Sequence, residues 1–426
     1  MGTVADKASK VLDTKRKIAA AIEQMTGRPA GDVFADYPEQ ILGIQTGGGS
    51  GWTGHADVEG LKAIGWTDDD IAYYQEHGVN WNEEDDPYHL VPEDNKALYG
   101  IINIDNIQDY KDIIVYLPKI DTSGKTDMSQ MFHNLCSMVA VPLIDTASAT
   151  NMSKMFRNCY ALVSVPLLDT SSVTIMDHMF YNCYSLVSVP LFNTHSVTSM
   201  TYMFQYCYSL VSVPLFNTSS VTSMGYMFAS CYSLVSVPLF NTSSVTSMGY
   251  MFASCYSLVS VPLFNTHSVT SMGYMFDSCY SLVSVPLFDT SSVTSMVYMF
   301  YNCRSLVSVP PFDTSGVISM DYMFYNCQPL ISVSLFDTSS VVRMNKMVAY
   351  CNSLVYCNLK NLKLSIDISA TSLLEKSSLL YMIDNASPTD AITITLSAYC
   401  YTKFSNDPDV VAALSKQPLV SLASAA

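Results

Sequence analysis

Residues 210–233 and residues 234–257 have the same sequence, LVSVPLFNTSSVTSMGYMFASCYS, and this pair of identical 24-residue segments decides the fold. Near-copies of the segment follow one another ten times between residues 121 and 359. A fixed period of this length is typical of a solenoid, in which each coil packs only against its neighbours. We therefore expect every position of the repeat to form a column of similar side chains along the solenoid.

Each unit predicts one strand and one short helical turn. The residues LVSVPL are β-branched and alternate in polarity, so Leu234, Val237 and Leu239 are predicted to point inward, with Val235 and Pro238 outward. The NTSS stretch has turn chemistry. The residues GYMFASC then predict a helical turn that returns Met, Phe and Cys side chains to the core. The sequence thus predicts an α/β solenoid with one strand and one helical turn per coil.

Nine cysteines recur at the repeat period, so their number says little about the redox environment of the protein. The column of cysteines has two possible explanations: the cysteines act as small buried apolar residues, or they form disulfides between neighbouring coils. Leu135 fills the cysteine position in the first unit, which favours the apolar interpretation. No CxxC or Cys/His pair has metal-ligand spacing, so no metal site is predicted. The recurring cysteines are Cys159, Cys183, Cys207, Cys231, Cys255, Cys279, Cys303, Cys327 and Cys351.

Composition excludes several function classes. The net charge is −16, and residues 145–351 hold eight acidic and five basic residues, so there is no basic patch for nucleic acid. No apolar run approaches 18 residues, so no membrane insertion is expected. Residues 1–24 lack the apolar core of a signal peptide, so export by an ordinary N-terminal signal is not expected.

Motifs for catalysis are not found in the sequence. It contains no phosphate-binding loop, GxSxG, HExxH or dinucleotide fingerprint, so we predict no enzyme and no cofactor. His195 and His267 occupy the same position of the repeat, where the other units have Ser or, once, Ala. They are predicted to be exposed loop substitutions without a catalytic role.

Residues 169–183, DTSSVTIMDHMFYNC, carry a resemblance to a known family. They resemble the D-T-S-x-V-T-x-M-x-x-M-F-x-x-C consensus of the BspA-like leucine-rich repeats of bacterial surface proteins, and the similarity covers about 240 residues. The resemblance implies a solenoid of leucine-rich-repeat type. It also implies surface display and binding of host proteins, other cells or glycans.

The N-terminal part is predicted to be separate from the solenoid. Residues 1–46 predict a helical module whose first helix has an apolar stripe, and its FADYPEQI stretch resembles N-terminal segments of phage tail-associated proteins. That resemblance implies docking to a tail protein or another structural protein. The stripe is about three heptads long, so a homotrimer built on a coiled coil is left open.

The other segments are expected to connect and close the solenoid. Residues 47–54 predict a glycine-rich linker and residues 55–96 a small helical region. We expect an N-terminal cap over 97–120, the ten-unit solenoid over 121–359 and an α/β C-terminal cap over 360–426. Within the cap, helices are predicted over 373–384 and 407–415, and strands over 391–399 and 419–423.

Two columns of tyrosines are predicted to be exposed and form the candidate binding face. A flat ring with a hydroxyl group suits sugars or extended protein, but the rings could instead only hold neighbouring coils together. Residues beside the cysteines, such as 229–230 and 277–278, vary most between units and are where specificity is expected. The first column is Tyr202, Tyr226, Tyr250, Tyr274, Tyr298 and Tyr322; the second is Tyr160, Tyr184, Tyr208, Tyr232, Tyr256 and Tyr280.

Two functions fit these features. The leading hypothesis is a phage or prophage tail protein, located in the virion tail, whose solenoid contacts a cell-surface protein or glycan. The alternative is a BspA-like adhesin on the bacterial cell surface that binds host proteins or glycans. The exposed Val-Ser pairs of the predicted strands are a further contact surface in either case.

Overall fold

The computed structural model describes residues 107–111, 114, 120–141 and 144–425. They belong to the second of the two units into which the chain divides, Gly100–Ala426. The predicted helical module over 1–46, the linker over 47–54 and the helical region over 55–96 lie outside the described residues, as does most of the N-terminal cap over 97–120. The first described element is a 3-10 helix, Ile107–Tyr110.

Residues from 120 onward form stacked 24-residue coils around one continuous core. Met248, Met251, Phe252 and Cys255 are fully buried in their coil, and the equivalent positions are buried along the stack. Each core phenylalanine stacks on those of the adjoining coils, as Phe252 does on both neighbours at 5.7 Å between ring centroids. Every coil therefore buries its apolar side against the next, as the identical repeats require.

Within the described 24-residue coils, regular strands occur only at the end of the solenoid, contrary to the prediction of one strand per coil. The parallel pair β1 (Ser332–Asp337) and β2 (Tyr356–Lys360) has a register shift between Val333 and Phe336. Elsewhere in the described coils, neighbours are joined at isolated parallel bridges, such as Ser223 to Ser247. Hydrogen bonds between coils are too widely spaced along the LVSVPL segments to build a ladder.

A γ-turn reverses the predicted direction of Leu239. The Phe240 N–H donates to the Pro238 carbonyl at 3.0 Å, and a bond between residues two apart defines such a turn. The alternation of inward and outward side chains breaks here, so Leu239 is 59% exposed and Phe240 only 2%. The prediction that Leu239 points inward is wrong. The same bond is made by Phe192, Phe216, Phe264, Phe288 and Phe312.

The predicted helical turn is a run of overlapping β-turns. Met251 N–H donates to the Met248 carbonyl at 3.2 Å, and Cys255 N–H donates to the Phe252 carbonyl at 3.0 Å. Alternate N–H groups bond to the next coil instead, as Phe252 does to the Met275 carbonyl at 3.0 Å. This alternation between bonds within a coil and bonds to the next one is incompatible with an α-helix.

Buried threonines link the coils through the Asn/Asp-Thr-Ser stretch. The Thr242 hydroxyl donates to the Asn265 carbonyl of the next coil at 2.8 Å. The Asn241 side chain accepts from the Ser243 N–H at 3.1 Å and closes the turn locally. The same inter-coil bond is made by the hydroxyl groups of Thr122, Thr170, Thr194, Thr218, Thr266, Thr290, Thr314 and Thr338.

The C-terminal segment has regular helices and a parallel three-stranded sheet. The strands β3 (Ile366–Asp367), β4 (Ile392–Leu396) and β5 (Val420–Ser424) lie in that order. The helices are α1 (Lys376–Asp384), α2 (Ala398–Phe404) and α3 (Pro408–Lys416). Helices α1 and α3 lie where helices were predicted, whereas α2 was missed because the strand was expected to continue to residue 399.

The C-terminal segment continues the stack with longer coils. Ile366 pairs with Ile394, and Ile394 pairs with Leu422, so each step spans 28 residues instead of 24. The Cys357 N–H of β2 donates to the Ser378 hydroxyl of α1 at 2.7 Å, which fixes the first helix to the end of the solenoid. The helical coils therefore cover the last apolar face of the repeat, as an end unit must.

Candidate functional site

The backbone places the first tyrosine column at a special position of the β-turns. Tyr250 is the third residue of the turn that begins at Met248, and its φ is 60°. Positive φ is unfavourable for a bulky residue, so the surrounding contacts must enforce it. Tyr250 N–H also donates to the Gly273 carbonyl at 3.1 Å, which holds this conformation against the next coil.

The first tyrosine column is a continuous stack of rings. Neighbouring centroids lie 4.3–4.7 Å apart over Tyr202, Tyr226, Tyr250, Tyr274, Tyr298 and Tyr322. His178 extends the stack at one end, 4.5 Å from Tyr202. The Lys346 Nζ lies 5.9 Å from the Tyr322 ring at the other end, within the range of a cation–π contact.

The second tyrosine column is stacked in the same way. Ring centroids lie 4.4–4.8 Å apart over Tyr160, Tyr184, Tyr208, Tyr232, Tyr256 and Tyr280. Arg304 follows in the next coil, and its guanidinium carbon lies 4.7 Å from the Tyr280 ring. A planar cation therefore continues the stack where the sequence replaces the tyrosine.

Stacking leaves only ring edges and hydroxyl groups for a ligand. All twelve tyrosines are half-buried, so the prediction of two exposed columns is too strong. Burial and neighbouring phenol groups raise the pKa of Tyr250, and the same causes raise the pKa of Tyr208 to about 12. The rings are neutral hydrogen-bonding groups at ordinary pH, and their flat faces are covered by each other.

The strip between the two columns changes from coil to coil. In the middle coils the strip carries the small residues Ala229 and Ala253. An earlier coil carries Tyr206 in the strip, and a later coil carries Tyr301. Asp277 occupies the strip in the coil after Ala253. Burial raises the pKa of its carboxyl group, and a hydrogen bond donated by the Ser278 hydroxyl at 2.8 Å partly opposes this rise.

Three glycines flank the middle of the first column without a structural need. A Cβ on Gly225, Gly249 or Gly273 would meet its nearest atoms at 3.4 Å or more, and none of the three has positive φ. Other coils carry Thr201 or Val297 at this position. Small residues therefore flank the middle rings of the column, and Ala229 and Ala253 are themselves buried.

A cationic and aromatic cluster lies at the N-terminal end of the columns. The Arg157 guanidinium carbon is 5.2 Å from the Tyr181 ring, and the His178 ring lies 5.5 Å from the same ring at an interplanar angle of 45°. The buried Arg157 Nε and His178 Nδ1 have no hydrogen-bond partner among the described residues. Burial lowers the pKa of His178, Asp177 opposes this effect, and the cations Lys154 and Arg157 add to it.

The cysteine column has a structural explanation. The Cys255 thiol donates to the Phe228 carbonyl of the preceding coil at 3.1 Å, and this carbonyl also accepts the Cys231 N–H at 3.0 Å. None of the twelve cysteines, all of which lie among the described residues, forms a disulfide. Burial raises the pKa of the Cys255 thiol well above its usual range. The structure thus supports the interpretation as small buried residues over disulfides between coils.

His195 and His267 are exposed loop residues, as predicted. His195 Nδ1 lies 3.0 Å from the Asn193 side chain, and His267 Nδ1 lies 3.1 Å from the Asp289 carboxylate. Within the described residues, no group of three or more His, Cys, Asp or Glu is arranged to hold a metal ion. The described helices also include none that is long and apolar enough to cross a membrane.

A cavity of about 400 Å³ lies where the 24-residue coils meet the helical coils. It is lined by residues 342–347 and 364–367 together with Thr395. The Arg343 side chain on its wall already pairs with Asp321 at 3.4 Å. This cavity follows from the change in coil length, because the column of parallel bridges that starts at Asp127 ends at Arg343 and β3 begins at Ile366.

These observations define a leucine-rich-repeat solenoid of the BspA-like kind. The chain belongs to the family described as "Mycoplasma protein of unknown function, DUF285". Matches to that family cover residues 105–212, 187–285, 211–310, 233–330, 259–361 and 305–380, which together span more than half of the chain. None of the curated proteins compared with the chain matches it.

Solved structures of leucine-rich-repeat proteins resemble the chain in fold. A protein from Eubacterium ventriosum has 17% identity and a TM-score of 0.33, over 59% of this chain and 80% of its own. One from Bacteroides ovatus has 17% identity and a TM-score of 0.24, over 68% and 88%. The functional domain of InlJ from Listeria monocytogenes, described as including a cysteine ladder, has 11% identity and a TM-score of 0.22, over 67% and 65%. At these identities the similarity concerns the fold alone.

Proposed function

We propose that the protein is a non-enzymatic adhesin on a bacterial surface, which binds a protein or glycan of another cell through the face carrying the two tyrosine columns. Membership of the BspA-like repeat family supports the general role. One observation carries the choice of face. The side chains between the columns differ from coil to coil, whereas the buried columns hardly change. A ligand without a 24-residue repeat needs such a non-repeating surface.

The stacked rings favour a ligand that is rich in hydrogen-bonding groups. Ring faces are occupied, so the usual stacking of a sugar on an aromatic ring is blocked within each column. Each phenol group both donates and accepts hydrogen bonds, and the columns present these groups at 4.3–4.8 Å intervals. An extended glycan or peptide would meet this row of hydroxyl groups edge-on, at the coils where the small residues Gly249 and Ala253 flank it.

The tail-protein hypothesis has less support than the adhesin. It depends on residues 1–46, which lie outside the described residues, while the family matches begin at residue 105. Docking to a tail protein through this segment, a location in the virion and a homotrimer therefore stay predictions. The fold and the family are those expected of the adhesin.

A matched pair of variants tests the binding face. The triple variant Tyr226→Phe, Tyr250→Phe and Tyr274→Phe removes three hydroxyl groups and keeps the ring stack. Its control, Tyr202→Phe, Tyr298→Phe and Tyr322→Phe, removes the same number from the outer coils of the same column. Both are applied with the wild-type chain to a glycan array and to immobilised mucin and extracellular-matrix proteins.

We expect the middle triple to lose at least tenfold in affinity for the ligand of the wild type, because each lost hydrogen bond is worth about 0.5–1.5 kcal/mol. The outer triple should lose less than threefold. Equal binding by all three proteins would show that the ligand does not use this face.

A further inference from the structure

A second surface of the solenoid is apolar and almost invariant. Val235 and Leu239 are 45% and 59% exposed, and their counterparts recur at 24-residue steps, from residues 163 and 167 to residues 331 and 335. We call these two columns, with the exposed serines between them, the apolar ribbon. Among the described residues no segment covers the ribbon, and it runs over eight coils.

The local backbone produces this exposure in a regular way. The γ-turn at Pro238 places Phe240 in the core and thereby forces Leu239 outward. An exposed position in a turn does not require an apolar residue, yet nearly every coil has Leu at this position. The exposed side chains are therefore not required by the packing of the core.

The ribbon is large enough for a stable interface. Complete burial of a Val or Leu side chain contributes about 1.5–3 kcal/mol at about 25 cal/mol per Å². Because roughly half of each side chain is exposed, one Val and one Leu together present an apolar area on the order of 100 Å² per coil. Eight coils then present on the order of 800 Å², which is what each partner buries in an interface of standard size. Apolar patches on monomers rarely exceed about 600 Å².

The repeat of the ribbon selects the kind of partner. Stacked coils are about 4.8 Å apart, so the ribbon is a pair of apolar rows with that spacing. A partner fits along the whole ribbon only if its own surface has the same repeat. A second copy of this chain meets this condition at every coil.

Charge also favours self-association at the ribbon. The chain has a net charge of −16, so charged contacts between two copies are repulsive on balance. The ribbon segments, such as VSVPL at 235–239 and ISVSL at 331–335, contain no ionisable side chain. Contact through the ribbon brings no like charges directly together.

We infer that the apolar ribbon is the interface of a homodimer, in which the ribbons of two copies pack face to face. This arrangement leaves the first tyrosine column outside the ribbon, because Tyr250 and its counterparts belong to the β-turn segment of each coil. The dimer thus displays two copies of the proposed binding face. Two linked sites raise the overall affinity for a surface that carries many copies of a ligand.

The test uses the full-length chain in sedimentation velocity over a range of concentrations. The variant Leu215→Ser, Leu239→Ser and Leu263→Ser removes apolar side chains from the middle of the ribbon. The matched control replaces the same three residues with Met, which keeps the apolar surface. Circular dichroism checks that both are folded, which we expect because these side chains are exposed.

We expect the wild type and the Met variant to be dimers, and the dissociation constant of the Ser variant to rise at least 100-fold. In a separate variant, Ser236→Cys should be joined between copies by a short bis-maleimide, because Ser236 lies on the ribbon. A monomeric wild type, or a Ser variant that associates like the wild type, would overturn the inference. Neither result would affect the tyrosine variants, so failure here is distinct from failure of the proposed function.

Discussion

The 24-residue coils and the C-terminal helical coils hold their backbones together in different ways. In the 24-residue coils, N–H groups alternate between β-turns and the adjoining coil, and side chains such as Thr242 complete the inter-coil bonds. In the C-terminal segment, helices satisfy their own backbones and β4 pairs continuously with β5. The first region thus depends on the adjoining coil at every second N–H of its turns, whereas the second has locally stable elements.

This difference shows why the repeats are nearly identical and the C-terminal segment is not. A coil without its own regular structure is stable only if the next coil presents the same groups at the same positions. Helices and a paired strand tolerate a changing sequence because their backbone bonds do not depend on matching side chains. A core substitution in a 24-residue coil should therefore destabilise mainly the adjacent coils, whereas one in the C-terminal segment should destabilise that whole segment.

Removal of one core ring should have the largest effect. Phe252→Ala leaves a cavity between Phe228 and Phe276 and should cost about 3–5 kcal/mol. Ile394→Ala in the middle of β4 should cost about 2–5 kcal/mol. Urea unfolding followed by hydrogen exchange measures both the size of the loss and its location.

We expect Phe252→Ala to lower protection mainly in the coils next to it, because each coil packs only on its neighbours. Ile394→Ala should lower protection across the C-terminal segment instead. An even loss over the whole chain in both variants would mean that the two regions unfold as one unit.

The second effect concerns the inter-coil bonds of the threonines. Thr242→Val leaves the Asn265 carbonyl without its described donor and should cost about 1–3 kcal/mol. Thr146 is the matched control, since its hydroxyl is buried without a hydrogen-bond partner among the described residues. Thr146→Val should be neutral or stabilising in the same urea experiment. A similar loss in both variants would show that the threonine shape matters and its bond does not.

A smaller effect is expected at the cysteine column. Cys255→Ala removes one of two donors to the Phe228 carbonyl, and the Cys231 N–H still bonds to it, so the cost should be about 1 kcal/mol. In the folded protein the repeat thiols should resist a thiol reagent, because burial raises their pKa and blocks access. Half-buried Cys136 should react first. Rapid labelling of all twelve thiols would contradict the packing of this column.

The smallest effect should appear at alkaline pH. Tyrosine has a pKa of about 10 in an unfolded chain, whereas the fold raises the pKa of Tyr208 to about 12 and also raises that of Tyr250. The native state then keeps protons that the unfolded state loses, so stability is complete below about pH 10 and falls as pH rises toward 12. Thermal unfolding between pH 8 and 11 should show this fall, and Tyr208→Phe should reduce it. A flat profile would mean that the stacked phenols titrate like free tyrosine.

Sequence periodicity predicted most of the core and part of the candidate site. Met251, Phe252 and Cys255 are buried as their spacing indicated, and the tyrosines form the two expected columns. Periodicity could not predict the γ-turn at Leu239, because the alternating polarity of LVSVPL is typical of a strand. The positive φ of Tyr250 was also missed, since no glycine or asparagine marks it. The stacking of Arg304 on Tyr280 lies between coils and has no signal within one unit.

The sequence by itself determined that this protein is a solenoid, because identical units can bury their apolar residues only by stacking on one another. It also determined which side chains share a column, since the period is fixed. The tertiary structure decided which columns face the solvent and how much of each ring is covered. Those properties depend on β-turns closed within each coil and on hydrogen bonds between residues 23 or 24 positions apart that join the coils. The distance between stacked coils leaves tyrosine edges and the apolar ribbon for partners.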